Sequence, residues 1–169
     1  KRQPSGFGKT TFCKILAGYE QPDEGQVLLD GKPLSEYKGY CPVQLIWQHP
    51  QEAVNPRRKM KTVLEEGGVL DERLIHGLGI EKEWMERYPG ELSGGELQRF
   101  CIARALGEKT SFLLADEITA MLDLITQSQI WNFLLEEVRS REIGLLVVSH
   151  SEPLLSLIHI SEPTRHAQI

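Results

Sequence analysis

Residue types near the start of the chain are suited to binding phosphate. The segment Pro4-Ser5-Gly6-Phe7-Gly8-Lys9-Thr10-Thr11 matches most of the pattern G-x-x-x-x-G-K-[ST]. Glycines allow successive backbone N–H groups to curl around phosphate oxygens, and a following helix adds the positive end of its dipole. Lys9 supplies a point charge for phosphates, and Thr10 supplies a hydroxyl for Mg²⁺. Because Gln3 stands where the pattern has its first glycine, a plain glycine-rich turn is the alternative. The predicted phosphate-binding residues are Ser5, Gly6, Gly8, Lys9, Thr10 and Thr11.

Two carboxylates follow an apolar run in the second half of the chain. Phe112-Leu113-Leu114-Ala115 is a predicted buried strand, and Asp116 and Glu117 come directly after it. Residues at the carboxyl edge of a parallel sheet lie where α/β proteins bind their ligands. Asp116 suits a water-bridged Mg²⁺ ligand, and Glu117 suits a general base that polarises an attacking water. The alternative is a strand followed by an acidic turn, but the phosphate loop favours the functional interpretation.

Length and composition indicate one soluble globular domain. The chain has 169 residues, of which 40% are hydrophobic and 25% charged. A net charge of −5 argues against a protein that coats nucleic acid. The sequence lacks an apolar run of about 18 residues, so no membrane span is predicted, and no signal peptide is expected. Cys13, Cys41 and Cys101 are irregularly spaced, which favours reduced thiols over a zinc site or a disulfide framework.

Strand-like and helix-like segments alternate along the chain, which predicts an α/β fold with a mainly parallel sheet. The charged segment 52–86, interrupted by glycines, predicts a small helical subdomain. The predicted strands are 26–29 (closed by an Asp30-Gly31 turn), 43–47, 111–115 and 145–148. The predicted helices are 9–17 with Phe12, Ile15 and Leu16 on its apolar side, one beginning near Gly94, and 124–139 with Ile130, Phe133, Leu134 and Val138 inward.

The most diagnostic stretch of the sequence is Leu92-Ser93-Gly94-Gly95-Glu96-Leu97-Gln98-Arg99, followed by Ala103-Arg104-Ala105-Leu106. It resembles the LSGGE signature in the nucleotide-binding domain of ATP-binding cassette (ABC) ATPases. Ser93 and the backbone N–H groups after it would stand at a helix N-terminus, which is a ready anion site. The resemblance implies that this signature faces the γ-phosphate held by a second subunit, so that ATP is sandwiched between two subunits. The implied signature residues are Leu92, Ser93, Gly94, Gly95 and Glu96.

Three further positions follow the order of motifs in that family. Gln48 matches the Q-loop glutamine, which the resemblance implies contacts Mg²⁺ or the attacking water. His150 matches the switch histidine that contacts the γ-phosphate. Asp123 matches the aspartate of the D-loop, although Met121 departs from the usual SALD pattern. The implied catalytic residues are Glu117, His150 and Gln48, and the implied Mg²⁺ ligands are Thr10, Gln48 and Asp116.

The resemblance implies a P-loop ATPase core over 1–154, α/β with a mainly parallel sheet, plus a small helical subdomain at about 50–107. The implied activity is MgATP hydrolysis that powers transport through membrane permease subunits. A second ABC ATPase subunit would be the partner, at the cytoplasmic face of the plasma membrane, and nucleic acid is not expected to bind. Gln48-His49-Pro50, Asn55-Pro56-Arg57 and 123–130 are similar to the oligopeptide, dipeptide and nickel importers, so peptide or nickel uptake is expected.

The resemblance covers about 3–154 and lacks the first strands of the family, so the fold is expected to be truncated at both ends. The segment 155–169 resembles the translation of a transposase-type sequencing adapter and its index, and we predict that it is not native. A native amphipathic helix broken at Pro163 is the alternative for that segment. Two other functions stay open for the chain: a soluble ABC ATPase that acts on DNA or ribosomes, and a non-catalytic fragment.

Overall fold

The computed structural model describes residues 8–68, 71–120 and 122–149, and the longest helices lie in the second half of the chain. The elements are, in chain order, α1 (Lys9–Leu16), β1 (Leu28–Leu29), β2 (Lys32–Pro33), β3 (Val43–Ile46), α2 (Met60–Glu66), α3 (Glu72–Gly77), α4 (Gly94–Ala105), β4 (Phe112–Asp116), α5 (Leu124–Ser140) and β5 (Gly144–Val148). Short 3₁₀ helices cover Leu34–Glu36, Pro50–Glu52, Lys82–Glu86 and Pro89–Glu91.

Strands β3, β4 and β5 form a parallel sheet with β4 in the centre. Ile46 lies opposite Ala115, and Asp116 lies opposite Val148, so the three strands end at the same edge. Parallel neighbouring strands need long crossover connections. Helices α2, α3 and α4 lie in the connection from β3 to β4, and α5 lies in the connection from β4 to β5. The predicted α/β fold with a mainly parallel sheet is therefore confirmed.

Apolar side chains pack against both faces of this sheet. Alternate residues of β4 point to opposite faces, so Leu113 joins one apolar cluster and Leu114 the other. The larger cluster joins the sheet to α2, α3, α4 and α5, and its largest buried side chains are Trp131 and Phe100. Burying side chains of that size contributes roughly 1.5–3 kcal/mol each. The smaller cluster lies under α1, where Cys13 is fully buried.

Several predicted elements differ in detail from the structure. Only Cys13 of α1 is fully buried, and Phe12 is 51% exposed, because Cys13 and Ala17 are the residues that face the sheet. The strand predicted at 26–29 is shortened to a two-residue arm of an antiparallel hairpin. Its turn lies where the sequence placed it, since Asp30 and Gly31 both have the positive φ that such hairpin turns require.

Helix α5 buries more than the sequence predicted. Of the four predicted inward residues, Ile130, Leu134 and Val138 are buried, whereas Phe133 is only partly buried. The carboxylate of Glu137 is also buried on this helix, and its Oε1 lies 2.5 Å from the guanidinium of Arg73 on α3. This ion pair and the packing of Phe133 near α3 join the helical segment to α5.

Candidate functional site

The carboxyl edge of the parallel sheet brings together polar residues from distant parts of the sequence. Gln48 follows β3, while Asp116 ends β4 and Glu117 follows it. Because β3 and β4 are neighbours with parallel register, these residues emerge from adjacent strand ends. Such an edge is where open α/β sheets place their ligands.

Helix α1 begins beside this edge. Gly8 is its N-cap, with a left-handed φ of 71°, and it has no side chain that could accept from the first N–H groups of the helix. The first turn carries Lys9 and no acidic residue. The N–H groups of the first turn and the positive end of the helix dipole therefore favour an anion at this position.

A hydrogen bond ties this helix start to β4. The hydroxyl of Thr10 donates to Asp116 Oδ2 at 2.7 Å. Asp116 is 4% exposed, so the bond from Thr10 compensates part of the cost of burying the carboxylate. The structure thus brings together two of the three predicted Mg²⁺ ligands.

Glu117 is held in an unusual backbone conformation beside Gln48. Its φ is +49°, in the left-handed region that a residue with a side chain adopts only at a cost of roughly 1–3 kcal/mol. The N–H of Glu117 donates to the carbonyl of Val148 at 2.8 Å, which fixes the turn after β4 against β5. The side-chain amide of Gln48 donates to Glu117 Oε2 at 3.1 Å. The predicted base and the predicted Q-loop glutamine are therefore in direct contact.

The oxygen donors at this edge suit a Mg²⁺ ion. Thr10 and Asp116 offer a hydroxyl and a carboxylate whose oxygens are 2.7 Å apart, and Gln48 lies next to Glu117. Mg²⁺ prefers hard oxygen ligands and retains several waters, so one or two protein ligands are enough. Within the described ranges no group of three His, Cys, Asp or Glu side chains could hold a metal by itself. Phosphate and water would therefore complete the coordination.

The signature segment forms the start of α4. Ser93 is its N-cap, and its hydroxyl accepts from the N–H of Glu96 at 3.3 Å, while the Glu96 carboxylate accepts from the N–H of Ser93 at 2.7 Å. This reciprocal pair is a capping box. Gly95 packs closely against Leu122, because a Cβ on Gly95 would lie 2.7 Å from the Leu122 Cδ2 atom. The signature therefore contacts the residue that precedes Asp123.

Asp123 is the N-cap of α5. Its carboxylate accepts from the N–H groups of Ile125 at 3.1 Å and Thr126 at 3.0 Å. A hydrogen bond from the side chain of Thr126, together with these backbone bonds, holds the pKa of Asp123 below its usual range. The sequence motif predicts Asp123 in the D-loop but does not reveal this structural role.

Other predicted residues lie outside the described part of the chain. They include the first residues of the phosphate loop, the switch histidine and the segment attributed to a sequencing adapter. These are Ser5, Gly6, His150 and 155–169. Met121, the departure from the D-loop pattern, is also outside it.

The structure also shows contacts that sequence analysis missed. Trp47, directly before Gln48, packs edge-to-face against Tyr19 with ring centroids 5.3 Å apart, and the Lys14 ammonium lies 5.2 Å from the Trp47 ring. The carbonyl of Trp47 accepts from the side chain of Gln98 on α4. The sequence shows an aromatic residue, Trp47, at the end of a predicted strand and a glutamine, Gln98, in the signature helix. Neither residue type identifies the residue that it contacts.

A family model for the ABC transporter matches residues 4–120. The chain belongs to the ABC transporter family. Two curated relatives are similar over most of this ABC chain. One is the nickel import ATP-binding protein NikE of Rhodospirillum rubrum, 34% identical over 164 residues, which cover 86% of the chain and 59% of the relative. The other is the oligopeptide transport ATP-binding protein OppF of Streptococcus mutans, 30% identical over 175 residues, which cover 91% and 56%.

The solved structures support the same fold. The dimeric structure of a bacterial ABC transporter cassette matches with a TM-score of 0.74 and 26% identity, over 89% of this chain and 73% of that one. The chain spans less than two thirds of the length of the curated relatives above. Among residues 8–68, 71–120 and 122–149, no helix has the length and apolar character needed to cross a membrane.

Proposed function

We propose that this ABC domain binds and hydrolyses MgATP at the carboxyl edge of its sheet. The observation that carries the proposal is the hydrogen bond of 3.1 Å between the amide of Gln48 and the carboxylate of Glu117, next to the Thr10–Asp116 contact. A general base and a group that orients it stand beside a magnesium-compatible pair of oxygens. Thr10 belongs to the first turn of α1, so the N-terminus of that helix adjoins the pair. These are the parts that phosphoryl transfer to water needs.

Phosphate binding is assigned to the start of α1. The ammonium of Lys9 would balance the charge of the β- and γ-phosphates, and the N–H groups of the first turn would bind phosphate oxygens. Asp116 accepts a hydrogen bond from the Thr10 hydroxyl, so the lone pairs of that hydroxyl are directed away from the carboxylate. Thr10, Asp116 and Gln48 would hold Mg²⁺, which when bound neutralises charge on the phosphate oxygens. The remaining phosphate ligands would be Ser5, Gly6, Gly8 and Thr11.

Glu117 is assigned the role of general base. Its carboxylate accepts a proton from water as the water oxygen bonds to the γ-phosphorus and the bond to the ADP oxygen breaks. The Gln48 amide donates to Glu117 Oε2, which orients the carboxylate at the edge of the sheet. The positive φ of Glu117 turns this side chain out of the strand direction at the edge of the sheet. His150 would add a contact to the γ-phosphate.

The signature would act on the nucleotide of a partner subunit. Ser93 and the N–H groups at the start of α4 form an anion site. The capping box of this helix, between Ser93 and Glu96, is formed within the chain itself. Leu92, Gly94, Gly95 and Glu96 would complete this surface, and Asp123 would lie at the contact between subunits. The dimeric cassette that the chain resembles supports such an arrangement.

We further propose that the ATPase powers uptake of peptide or nickel through membrane permease subunits, at the cytoplasmic face of the plasma membrane. The similarity to a nickel import protein and an oligopeptide transport protein supports this assignment. The alternative is a soluble ABC ATPase that acts on DNA or ribosomes. Stimulation of ATP hydrolysis by permease subunits, but not by nucleic acid or ribosomes, would support the transport function.

The decisive test is Glu117→Gln in the full-length protein. Glutamine keeps the size of the side chain and its contact with Gln48, but it cannot accept the proton. We expect ATP binding to be retained and steady-state turnover to fall about 10²–10⁴-fold. Radiolabelled phosphate release measures turnover, and equilibrium dialysis with MgATP measures affinity.

Glu136→Gln is the matched control, because Glu136 is an exposed residue of α5 away from the site. It should leave both turnover and affinity unchanged. Steady-state hydrolysis retained in Glu117→Gln would refute Glu117 as the base. Loss of ATP binding in that variant would instead show that the carboxylate is needed to assemble the site.

A further inference from the structure

Helix α4 contacts the segment after β3 through three donors that are spaced three residues apart. Gln98 Nε2 donates to the carbonyl of Trp47 at 3.2 Å, and the Cys101 thiol to the carbonyl of Pro50 at 3.8 Å. Arg104 Nη1 donates to the carbonyl of Ala53 at 2.8 Å. The acceptors, at 47, 50 and 53, are also three residues apart.

The equal spacing has a geometric origin. Pro50 begins the 3₁₀ helix 50–52 and Ala53 is its C-cap, so these two acceptors lie one 3₁₀ turn apart on one side. Residues three apart on α4 share a face of that helix as well. Three side chains on one face of α4 therefore each donate a hydrogen bond to a backbone carbonyl of the segment 47–53. We call this row of three hydrogen bonds the α4 seam.

Gln98 is the buried end of the seam nearest to the active site. It is 3% exposed, which is unusual for glutamine and requires a partner for its amide. Cys101 is similarly buried, and burial raises the pKa of its thiol to about 11, so it keeps its S–H donor. Arg104, at the other end, also approaches Glu66 at 3.9 Å and is partly exposed.

The bond from Gln98 fixes the orientation of Gln48. The carbonyl of Trp47 and the N–H of Gln48 belong to one planar peptide group, so holding the carbonyl sets the direction in which the chain enters Gln48. The side chain of Gln48 then reaches Glu117 at 3.1 Å. A continuous path runs from α4 through the Trp47 peptide to the carboxylate of Glu117.

We propose that Gln98 is a positioning residue for ATP hydrolysis. Through the Trp47 peptide it holds Gln48 against Glu117, and it joins that pair to the helix whose first turn carries the signature. This inference rests on the proposed ATPase function. Since Ser93 and Gln98 lie five residues apart at the start of one helix, movement of the signature on a partner's nucleotide would displace the Trp47 peptide. Gln98 is assigned no contact with ATP.

Gln98→Met tests the proposal, because methionine keeps the length and volume of glutamine but removes the donor. In the full-length protein we expect kcat to fall about tenfold, with the KM for ATP changed less than about twofold. Gln44→Met is the matched control. Gln44 also donates its amide to a backbone carbonyl, that of Cys41 at 2.7 Å, but from within β3. It should leave kcat unchanged.

A double-mutant cycle separates positioning from a general structural role. If Gln98 acts through Gln48, the double variant Gln48→Met/Gln98→Met has the same kcat as Gln48→Met alone. If Gln98 only stabilises the fold, the two losses multiply. Multiplying losses, or a Gln98→Met enzyme with wild-type kcat, would overturn the proposal.

Hydrogen exchange tests the contact independently of hydrolysis. Gln98→Met should speed exchange of the backbone amides of 48–53 relative to Gln44→Met, while the amides of β4 exchange as in wild type. If the unaltered protein hydrolyses no ATP, the proposed function fails and Gln98 has no reaction to position, even where exchange confirms the seam. Unchanged exchange at 48–53 would overturn the proposal even in an active enzyme.

Discussion

The carboxyl edge of the sheet and the start of α4 differ in how far apart in the sequence their hydrogen-bonded partners lie. At the carboxyl edge of the sheet, Thr10 bonds to Asp116 across 106 residues, and Gln48 to Glu117 across 69. At the start of α4, the side chains of Ser93 and Glu96 each accept a hydrogen bond from the other's backbone N–H, across three residues. The first site depends on the register of three parallel strands, whereas the second is complete within one helical turn.

This difference predicts which site is disturbed by a change in the sheet and which by a change in the first turn of α4. The edge site stores strain at Glu117, whose positive φ persists only because the surrounding strands hold it. The capping box needs no tertiary partner for its hydrogen bonds. Damage to the sheet should therefore disable Gln48 and Glu117 while the signature keeps its local geometry.

The largest effect among the remaining tests is expected for Asp116→Asn. Asparagine keeps the shape of the buried side chain but removes the charge that Thr10 contacts and that Mg²⁺ would need. We expect turnover to fall about 100-fold and the Mg²⁺ concentration for half-maximal activity to rise. Turnover measured across a Mg²⁺ titration checks both effects.

Asp71→Asn is the control for that change. Asp71 caps α3 by accepting from the N–H of Arg73 at 2.8 Å, and asparagine is an equally good N-cap. It should leave the Mg²⁺ dependence as in wild type. Wild-type turnover and Mg²⁺ dependence in Asp116→Asn would exclude the carboxylate as a magnesium ligand.

A smaller effect, on stability, separates the two functions of Ser93. Ser93→Ala removes the cap acceptor of α4 and should lower the free energy of unfolding by about 1 kcal/mol. Ser93→Asp retains a good cap, so its stability should stay near wild type. Its negative charge would nevertheless repel a partner's γ-phosphate and abolish cooperative turnover. Urea denaturation and turnover, measured on the same preparations, distinguish these outcomes.

Ser93→Thr is the control, since threonine preserves both the cap and the neutral hydroxyl. Full turnover in Ser93→Asp would contradict the assignment of this helix start to a phosphate. A stability loss in Ser93→Asp as large as that in Ser93→Ala would show that capping does not govern the stability of α4.

Features governed by local chemistry could be predicted from the sequence. The glycine before α1, the spacing of Ser93 and Glu96, and the apolar run of β4 each specify their structure within a few residues. The ABC family resemblance rested on such local motifs, and the family match confirms it. Asp116 and Glu117 could be placed at the sheet edge because a buried strand precedes them.

Features that depend on tertiary contacts could not be predicted. Nothing in the sequence around Gln98 specifies that its amide meets the carbonyl of Trp47, since that contact requires the end of β3 to lie beside α4 in the folded chain. The exposure of Phe12 depends likewise on which side of α1 meets the sheet. The positions of the hydrophobic residues in α1 were not enough to predict which side of the helix faces the sheet.

The smallest effect is expected for Asp123→Asn, a second test of local capping. Hydrogen bonds hold the pKa of Asp123 below its ordinary value of 3.8, so the charged cap adds stability above that pH. This contribution is lost as the pH falls below 3.8 and the folded protein takes up the proton. Asparagine caps α5 without titrating, so its stability should match wild type at neutral pH. Urea midpoints measured from neutral pH to below 3.8 should show wild type losing stability relative to the variant. Parallel curves would mean that the charge of Asp123 contributes nothing to its cap.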